Sequence, residues 1–173
     1  AAFVNGHILT PGGLVAGRAL LIEDGRISAI TDAADARRRG TELIDLAGRM
    51  LLPGFIDVQV NGGGGVLFND APTVEGIRTI AQAHARFGTT GLLPTLISDD
   101  LTVLARAIEA VDAAIAAGVP GVLGIHIEGP YLSAARKGVH DAARLLPLGP
   151  DAVALLCSLR RGVTLLTLAP EMA

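Results

Sequence analysis

Residues 122–132, VLGIHIEGPYL, decide the fold that this chain can adopt. A nearly continuous apolar run is typical of a strand buried on both faces of a parallel sheet. The run ends in a Gly-Pro pair, which predicts a loop at the carboxyl end of the strand. Alternation along the strand places His126 and Glu128 on one face and isoleucines on the other.

Similar strands and intervening helices surround this stretch. Apolar runs predict three further strands, at residues 51–60, 91–97 and 163–169. Amphipathic spacing predicts helices between them, at residues 73–87, 101–117 and 151–159. This alternation predicts an α/β fold with a parallel sheet covered by helices.

Four such units amount to the first half of a (β/α)8 TIM-like barrel. A closed barrel needs about 250 residues, and this sequence has 173. The mean hydropathy of +0.51 is high for a chain that leaves apolar strand edges in water. We therefore expect the second half to be absent, cleaved off or supplied by another chain. A complete open sheet of four or five strands is the alternative.

The N-terminal residues follow a different pattern, so we place a domain boundary between residues 1–50 and 51–173. Short apolar stretches predict the strands of a small β layer at residues 4–9, 19–30 and 41–46. The pair Asp24-Gly25 predicts a tight hairpin turn, since glycine readily adopts positive φ.

The composition excludes several classes of protein. Apolar residues make up 50% and charged residues 18% of the chain, which argues against disorder. The net charge of −3 comes without a basic stripe, so we expect no nucleic-acid partner. No apolar stretch reaches the roughly 20 residues that span a bilayer, and no secretion signal is visible. With Cys157 as the single cysteine, these features predict a soluble cytoplasmic protein.

The pair His126 and Glu128 is the strongest chemical signal. An imidazole and a carboxylate on an otherwise apolar strand are costly to bury unless they bind something. Ligands of parallel α/β folds bind at the carboxyl ends of the strands, where Glu128 could hold Zn²⁺ or a similar ion. Two alternatives stay open: a hydrogen-bonded core histidine at His126, and a salt bridge from Glu128 to an arginine or lysine.

Two loops carry weaker signals. In residues 53–65, PGFIDVQVNGGGG, the amides of Gln59 and Asn61 share a strand face and suit a polar substrate or a metal-bound water. The glycines allow close approach of a ligand, or else form a mobile loop without a role. Residues 136–141, RKGVHD, place cations beside His140 and suit a sugar phosphate, with an exposed polar loop as the alternative.

These motifs, in this order, resemble the amidohydrolase superfamily and, within it, the N-terminal part of the N-acetylglucosamine-6-phosphate deacetylase family. The similarity runs through the whole chain from about Gly6. It is carried by PGFIDVQVNG at 53–62, GTT at 88–90 with LPTL at 93–96, HIEGPYL at 126–132 with KGVH at 137–140, and TLAPEM at 167–172.

The resemblance implies a fold and a reaction. Residues 1–50 would be the N-terminal strands of a small β-sandwich, and residues 51–173 the first four β/α units of the amidohydrolase barrel. The reaction would be hydrolysis of N-acetylglucosamine 6-phosphate to glucosamine 6-phosphate and acetate, in amino-sugar catabolism. The family further implies one divalent metal ion, usually Zn²⁺, a small-molecule substrate and a homodimer.

The resemblance also implies residue roles. Glu128 would be the metal-ligating carboxylate. Gln59 and Asn61 stand where many superfamily members carry a His-x-His pair, which argues for one metal and leaves them to bind substrate. His140 would contact the sugar by its side chain and Val139 by its backbone.

The family's other metal-binding histidines and its general acid/base aspartate lie after the fourth strand, whereas this sequence ends at Ala173. We therefore expect no catalytic residue within the chain, and no activity of the chain alone. Two other functions stay open: a non-catalytic sugar-phosphate-binding domain, and a half barrel that pairs with a second half.

Overall fold

The computed structural model describes all 173 residues, which form a mixed α/β protein with two compact units, Ala1–Pro53 and Gly54–Ala173. Each unit has its own sheets and its own cluster of buried apolar side chains.

The first unit consists of short strands and one short helix. Their bounds are β1 Ala2–Val4, β2 His7–Thr10, β3 Gly13–Val15, β4 Arg18–Glu23, β5 Arg26–Asp32, α1 Ala33–Arg38, β6 Leu43–Asp45 and β7 Met50–Leu51. The strands form two sheets, ordered β5-β4-β1-β6 and β3-β2-β7. The predicted hairpin is confirmed, because β4 and β5 pair antiparallel around Asp24 and Gly25, at φ of 50° and 72°.

Two apolar runs that the pattern predicts as single strands are interrupted. Residues 4–9 divide into parts of β1 and β2, because Asn5 has a φ of 57° and turns the chain between them. Residues 51–60 divide at Pro53-Gly54, where proline lacks the N–H group that a continuous strand would use.

The second unit alternates strands and helices, close to the prediction. Its elements are β8 Phe55–Val60, β9 Gly62–Gly63, β10 Val66–Leu67, α2 Val74–Ala85, β11 Thr89–Ile97, α3 Leu101–Ala116, β12 Gly124–Glu128, α4 Pro150–Leu156 and β13 Val163–Thr167. Three 3-10 turns span Ala134–Arg136, Ala142–Arg144 and Pro170–Met172.

The main sheet of this unit has the order β13-β12-β11-β8, and every neighbouring pair is parallel. The predicted parallel sheet is therefore confirmed, and the four carboxyl ends lie along one edge. At this edge the register aligns Ile97 with Glu128, and Glu128 with Thr167. Residues that follow β11 consequently lie beside Glu128.

The core of the second unit lies between the sheet and the helices. Ile77 of α2, Val111 of α3 and Ile127 of β12 are fully buried in it. The two outer strands are covered less well, since Ile56 of β8 is 66% exposed and Val163 of β13 is 56% exposed. None of the helices is long and apolar enough to cross a bilayer.

Helix α2 begins with a side-chain cap that can be tested. The hydroxyl of Thr73 accepts a hydrogen bond from the backbone N–H of Gly76 at 3.1 Å. We expect Thr73→Ala to lower the free energy of unfolding by about 1 kcal/mol, measured by urea denaturation. Thr102→Ala, at an exposed threonine in the first turn of α3, should change it by only a few tenths of a kcal/mol. Equal losses in the two variants would contradict the capping role.

Candidate functional site

Glu128 lies where the polar residues at the carboxyl edge of the sheet converge. Its Oε2 atom accepts a hydrogen bond from Nε2 of Gln59 at 2.9 Å. Its Oε1 atom lies 3.6 Å from Nε2 of His140, in the loop after β12. The structure thus brings together three predicted site residues, of which Gln59 lies 69 positions before Glu128 in the sequence. We use the name Glu128 cluster for these three residues, Gln59, Glu128 and His140, together with Ser98.

Ser98, directly after β11, holds the other side of the His140 ring. The Ser98 hydroxyl oxygen lies 2.8 Å from Nδ1 of His140, and the Ser98 backbone N–H donates to the same atom at 3.4 Å. Lys137 fixes the histidine backbone, because its ammonium donates to the His140 carbonyl at 2.9 Å. Both Ser98 and His140 are buried, at 8% and 6% exposure.

The carboxylate of Glu128 has no cationic partner of the kind considered from the sequence. The salt bridges of the chain pair no arginine or lysine with Glu128, whose side chain is 21% exposed. Among these 173 residues, the salt-bridge alternative therefore finds no cationic partner for Glu128. The negative charge faces only an amide and an imidazole.

His126 is a hydrogen-bonded core residue, as the alternative interpretation of this position predicts. Its Nδ1 lies 3.3 Å from the hydroxyl of Thr95, and its Nε2 lies 2.8 Å from the hydroxyl of Thr167. Burial lowers the pKa of His126 below its ordinary 6.5, against the opposing effects of the Glu128 charge and the Val58 carbonyl. The ring is therefore neutral near neutral pH.

Asn61 and Val139 stand apart from the Glu128 cluster. Asn61 lies just beyond β8, and its backbone carbonyl accepts a hydrogen bond from Phe68 at 2.8 Å. Val139 is 91% exposed. The structure gives neither side chain a hydrogen bond to the cluster, and their roles in substrate binding stay predictions.

The glycine run after β8 forms an ordered ribbon rather than the mobile loop considered above. Strands β9 and β10 pair antiparallel around Gly64 and Gly65, whose φ values are 62° and 82°. The Gly62 carbonyl accepts a hydrogen bond from Nε2 of His84 on α2 at 2.9 Å. The glycines therefore allow close packing against a helix.

The loop that carries His140 is also attached to the end of β11 by charge. Arg144 forms ion pairs with Asp100 and, at 3.5 Å, with Asp99. Arg136, by contrast, is exposed. The two basic residues predicted to meet a sugar phosphate therefore differ: Arg136 is exposed to solvent, whereas Lys137 already donates a hydrogen bond to the His140 carbonyl.

The residues present do not form a complete metal site. No group of three His, Cys, Asp or Glu side chains is placed to hold a metal ion together. The Glu128 cluster offers the carboxylate of Glu128, while Nδ1 of His140 is already occupied by Ser98; a zinc site normally has at least three protein ligands. This chain alone therefore does not fit a bound zinc ion.

Searches against known proteins found relatives along nearly the whole chain, although no family model matches it. An N-acetylgalactosamine-6-phosphate deacetylase of Shewanella sp. (strain ANA-3) is 44% identical, over 95% of this chain and 42% of its own length. An N-acetylglucosamine-6-phosphate deacetylase of Haemophilus influenzae is 34% identical, over 98% of this chain and 44% of its own. A crystal structure of N-acetylglucosamine-6-phosphate deacetylase from Pasteurella multocida superposes with a TM-score of 0.91 at 36% identity, over 98% of this chain and 45% of its own. The chain thus spans less than half the length of the relatives it matches.

The hydrogen bond from His126 to β13 can be tested with two threonines of the same strand. Thr167→Val removes the hydroxyl that meets Nε2 of His126 and keeps the side-chain shape. We expect the free energy of unfolding to fall by about 0.5–1.5 kcal/mol, measured by urea denaturation. Thr164 of the same strand is also exposed, but the structure gives its hydroxyl no hydrogen bond, so Thr164→Val should have a smaller effect. A Thr167→Val variant as stable as the wild type would show that His126 does not need this partner.

The lowered pKa of His126 also predicts a pH dependence of stability. Because the folded chain binds this proton more weakly, the stability that His126 contributes is full above its ordinary pKa of 6.5. It is lost as the pH falls from 6.5 through the lowered pKa of the folded state. Urea denaturation from about pH 8 to about pH 5 should therefore show a steeper loss for the wild type than for His126→Gln. Parallel curves for wild type and His126→Gln would contradict this account.

Proposed function

Because the chain belongs to the N-acetylglucosamine-6-phosphate deacetylase family, we propose that it forms part of a metal-dependent amidohydrolase acting on an N-acetylated amino-sugar 6-phosphate. The reaction is hydrolysis of the N-acetyl group of N-acetylglucosamine 6-phosphate, giving glucosamine 6-phosphate and acetate. The observation that carries the proposal is the Glu128 carboxylate at the carboxyl end of a parallel strand, held by Gln59 and next to His140.

The proposed architecture is the first half of a (β/α)8 barrel, preceded by part of a small β-sandwich. Three observations support it. The four strands of the second unit are parallel and in sequential order. The outer strands β8 and β13 leave apolar side chains exposed, where further strands would pack. The chain spans about 43% of the length of several curated relatives.

In this proposal Glu128 is one ligand of a single divalent ion, most simply Zn²⁺. Gln59 donates to Oε2 and so fixes the orientation of the carboxylate, while Oε1 lies 3.6 Å from Nε2 of His140. The bound ion would supply an activated water for attack on the amide. The remaining ligands and the general acid/base aspartate come from outside these 173 residues, so the chain alone is inactive.

The substrate-binding residues of the proposal are Gln59, Asn61, Val139 and His140. His140 is the best placed of them, because its Nε2 faces the cluster while Nδ1 is occupied by Ser98. The exposed Val139 lies beside it and contributes its backbone. A homodimer, a cytoplasmic location and the absence of nucleic-acid and membrane partners stay predictions from the sequence.

N-acetylgalactosamine 6-phosphate is a second candidate substrate. The Shewanella relative, at 44% identity, is named for that epimer, whereas the Haemophilus relative, at 34%, is named for the glucosamine epimer. Both substrates present the same acetamide and phosphate and differ in one hydroxyl configuration, so the Glu128 chemistry serves either. An assay of both epimers therefore belongs in the same experiment.

A chimera tests the proposed function. These 173 residues would replace the matching segment of the Shewanella deacetylase, and acetate release would be measured with each epimer. We expect an active chimera in which Glu128→Gln lowers kcat/KM at least a hundredfold, because the variant loses the charge that binds the cation. Bound metal, measured by elemental analysis, should fall in the same variant.

Glu109→Gln, at an exposed carboxylate on α3, is the matched control and should leave acetate release unchanged. An active chimera that tolerates Glu128→Gln would refute the proposed role of Glu128. Sugar-phosphate binding by the unfused chain that survives a chelator, together with an inactive chimera, would favour a non-catalytic binding domain. A stable dimer of the unfused chain with a largely apolar interface would favour the pairing of half barrels.

A further inference from the structure

We infer that the hydroxyl of Ser98 is a positioning group that holds His140 in the tautomer protonated on Nε2, so that His140 presents an N–H group to the Glu128 cluster. The tautomer follows from the hydrogen bonds alone. What it does for a substrate rests on the proposed function.

The first step is that Nδ1 of His140 must be an acceptor. The backbone N–H of Ser98 points at it from 3.4 Å, and a backbone N–H can only donate. If Nδ1 carried a proton, two N–H donors, that of His140 and that of the Ser98 backbone, would face each other with no acceptor between them. The hydroxyl of Ser98, at 2.8 Å from the same atom, then donates as well and makes the shorter contact.

The second step concerns the opposite side of the ring. A neutral imidazole with an unprotonated Nδ1 carries its proton on Nε2. That atom lies 3.6 Å from Oε1 of Glu128, where an N–H group is attracted to the carboxylate and a lone pair would be repelled. Both sides of the ring therefore favour the same tautomer.

The third step is that the end of β11 holds Ser98 in place. The Asn69 side chain accepts from the N–H of Ile97 at 3.1 Å and donates to the carbonyl of Ile97 at 3.1 Å. It also donates to the carboxylate of Asp99 at 3.0 Å. Asn69 thus fixes the residues on both sides of Ser98.

The same surroundings argue against Ser98 as a nucleophile. Its side chain is buried against the backbone of Gly129, where a Cβ atom would lie only 2.2 Å from the hydroxyl oxygen. Gly129 therefore shields this oxygen on one side, and its contact with Nδ1 of His140 occupies another. The serine can act only through the imidazole that it orients.

This arrangement assigns a direction to the hydrogen bond that His140 offers. With Nδ1 occupied and Nε2 protonated, His140 donates to an oxygen of the bound amino-sugar phosphate and accepts no proton from it. The sequence carries no motif for this role, since Ser98 stands 42 positions before His140.

Nitrogen chemical shifts test the tautomer directly. A long-range ¹H–¹⁵N spectrum of the ¹⁵N-labelled 173-residue chain, under mildly alkaline conditions where imidazole is neutral, distinguishes protonated from unprotonated ring nitrogens. We expect His140 to show an unprotonated Nδ1 and a protonated Nε2. The reverse pattern in the wild type would overturn the inference without any variant.

The variant Ser98→Ala tests the hydroxyl, and Ser158→Ala is its control. Ser158→Ala also removes a serine hydroxyl, but that hydroxyl donates to the Leu155 carbonyl near the end of α4, away from His140. We expect the Nδ1 signal of His140 to move toward the position of a tautomer mixture in Ser98→Ala and to stay in place in Ser158→Ala. An unmoved signal in a folded Ser98→Ala variant would overturn the positioning role.

Kinetics of the active chimera provide a second readout. Ser98→Ala should raise KM for the amino-sugar phosphate by roughly threefold to tenfold, with a smaller change in kcat, because a hydrogen bond to bound substrate is weakened. An unchanged KM would argue against the consequence for substrate. An inactive chimera would refute the proposed function but leave the spectroscopic result intact, so the two failures are distinguishable.

Discussion

The buried imidazole of His126 constrains the register of the parallel sheet. An imidazole in an apolar core needs a hydrogen-bond partner for each of its two nitrogens. Leaving one nitrogen unpaired costs about as much free energy of folding as a strong hydrogen bond contributes. The partners come from the neighbouring strands, Thr95 on β11 and Thr167 on β13. Thr95 in turn accepts from the backbone of Val60 on β8 at 2.9 Å. One chain of hydrogen bonds thus crosses all four strands and fixes their register at the carboxyl edge.

That register also fixes the position of the Glu128 carboxylate. Glu128 follows His126 by two residues on the same strand, so it rises from the same face just beyond the hydrogen-bonded layer. Because burial keeps His126 neutral, no positive charge on this imidazole neutralises the Glu128 carboxylate. Its direct partners are an amide and an imidazole, which orient a carboxylate without neutralising it fully. A carboxylate held in this way is suited to receive a cation.

The sequence predicted the elements better than the contacts between them. The apolar run at 122–128 and the helical spacing at 101–117 have strong periodicity, and both elements are found within a few residues of the prediction. Glu128 was predicted because a carboxylate at the end of an apolar strand is unusual. His140 was predicted because it follows two cations in a loop that resembles the family's sugar-contacting loop. Ser98 and Thr167 have no such signal, since hydroxyl residues are common at strand ends. Their importance comes only from long-range register, which places them beside histidines more than 40 positions away. The glycine run was ambiguous for the same reason, because its packing partner His84 lies on another element.

The outer strands β8 and β13 leave apolar side chains and unpaired strand edges exposed, which favours association between molecules at high concentration. Phe55, Val58 and Leu165 present apolar surface next to unpaired strand borders. Exposed edge strands of this kind can pair with the edge strands of other molecules, and this pairing becomes faster as the protein concentration rises. Cooling weakens the hydrophobic part of that attraction, and dilution slows the encounters. As long as these edge strands stay exposed, aggregation competes with the monomeric folded state of the chain.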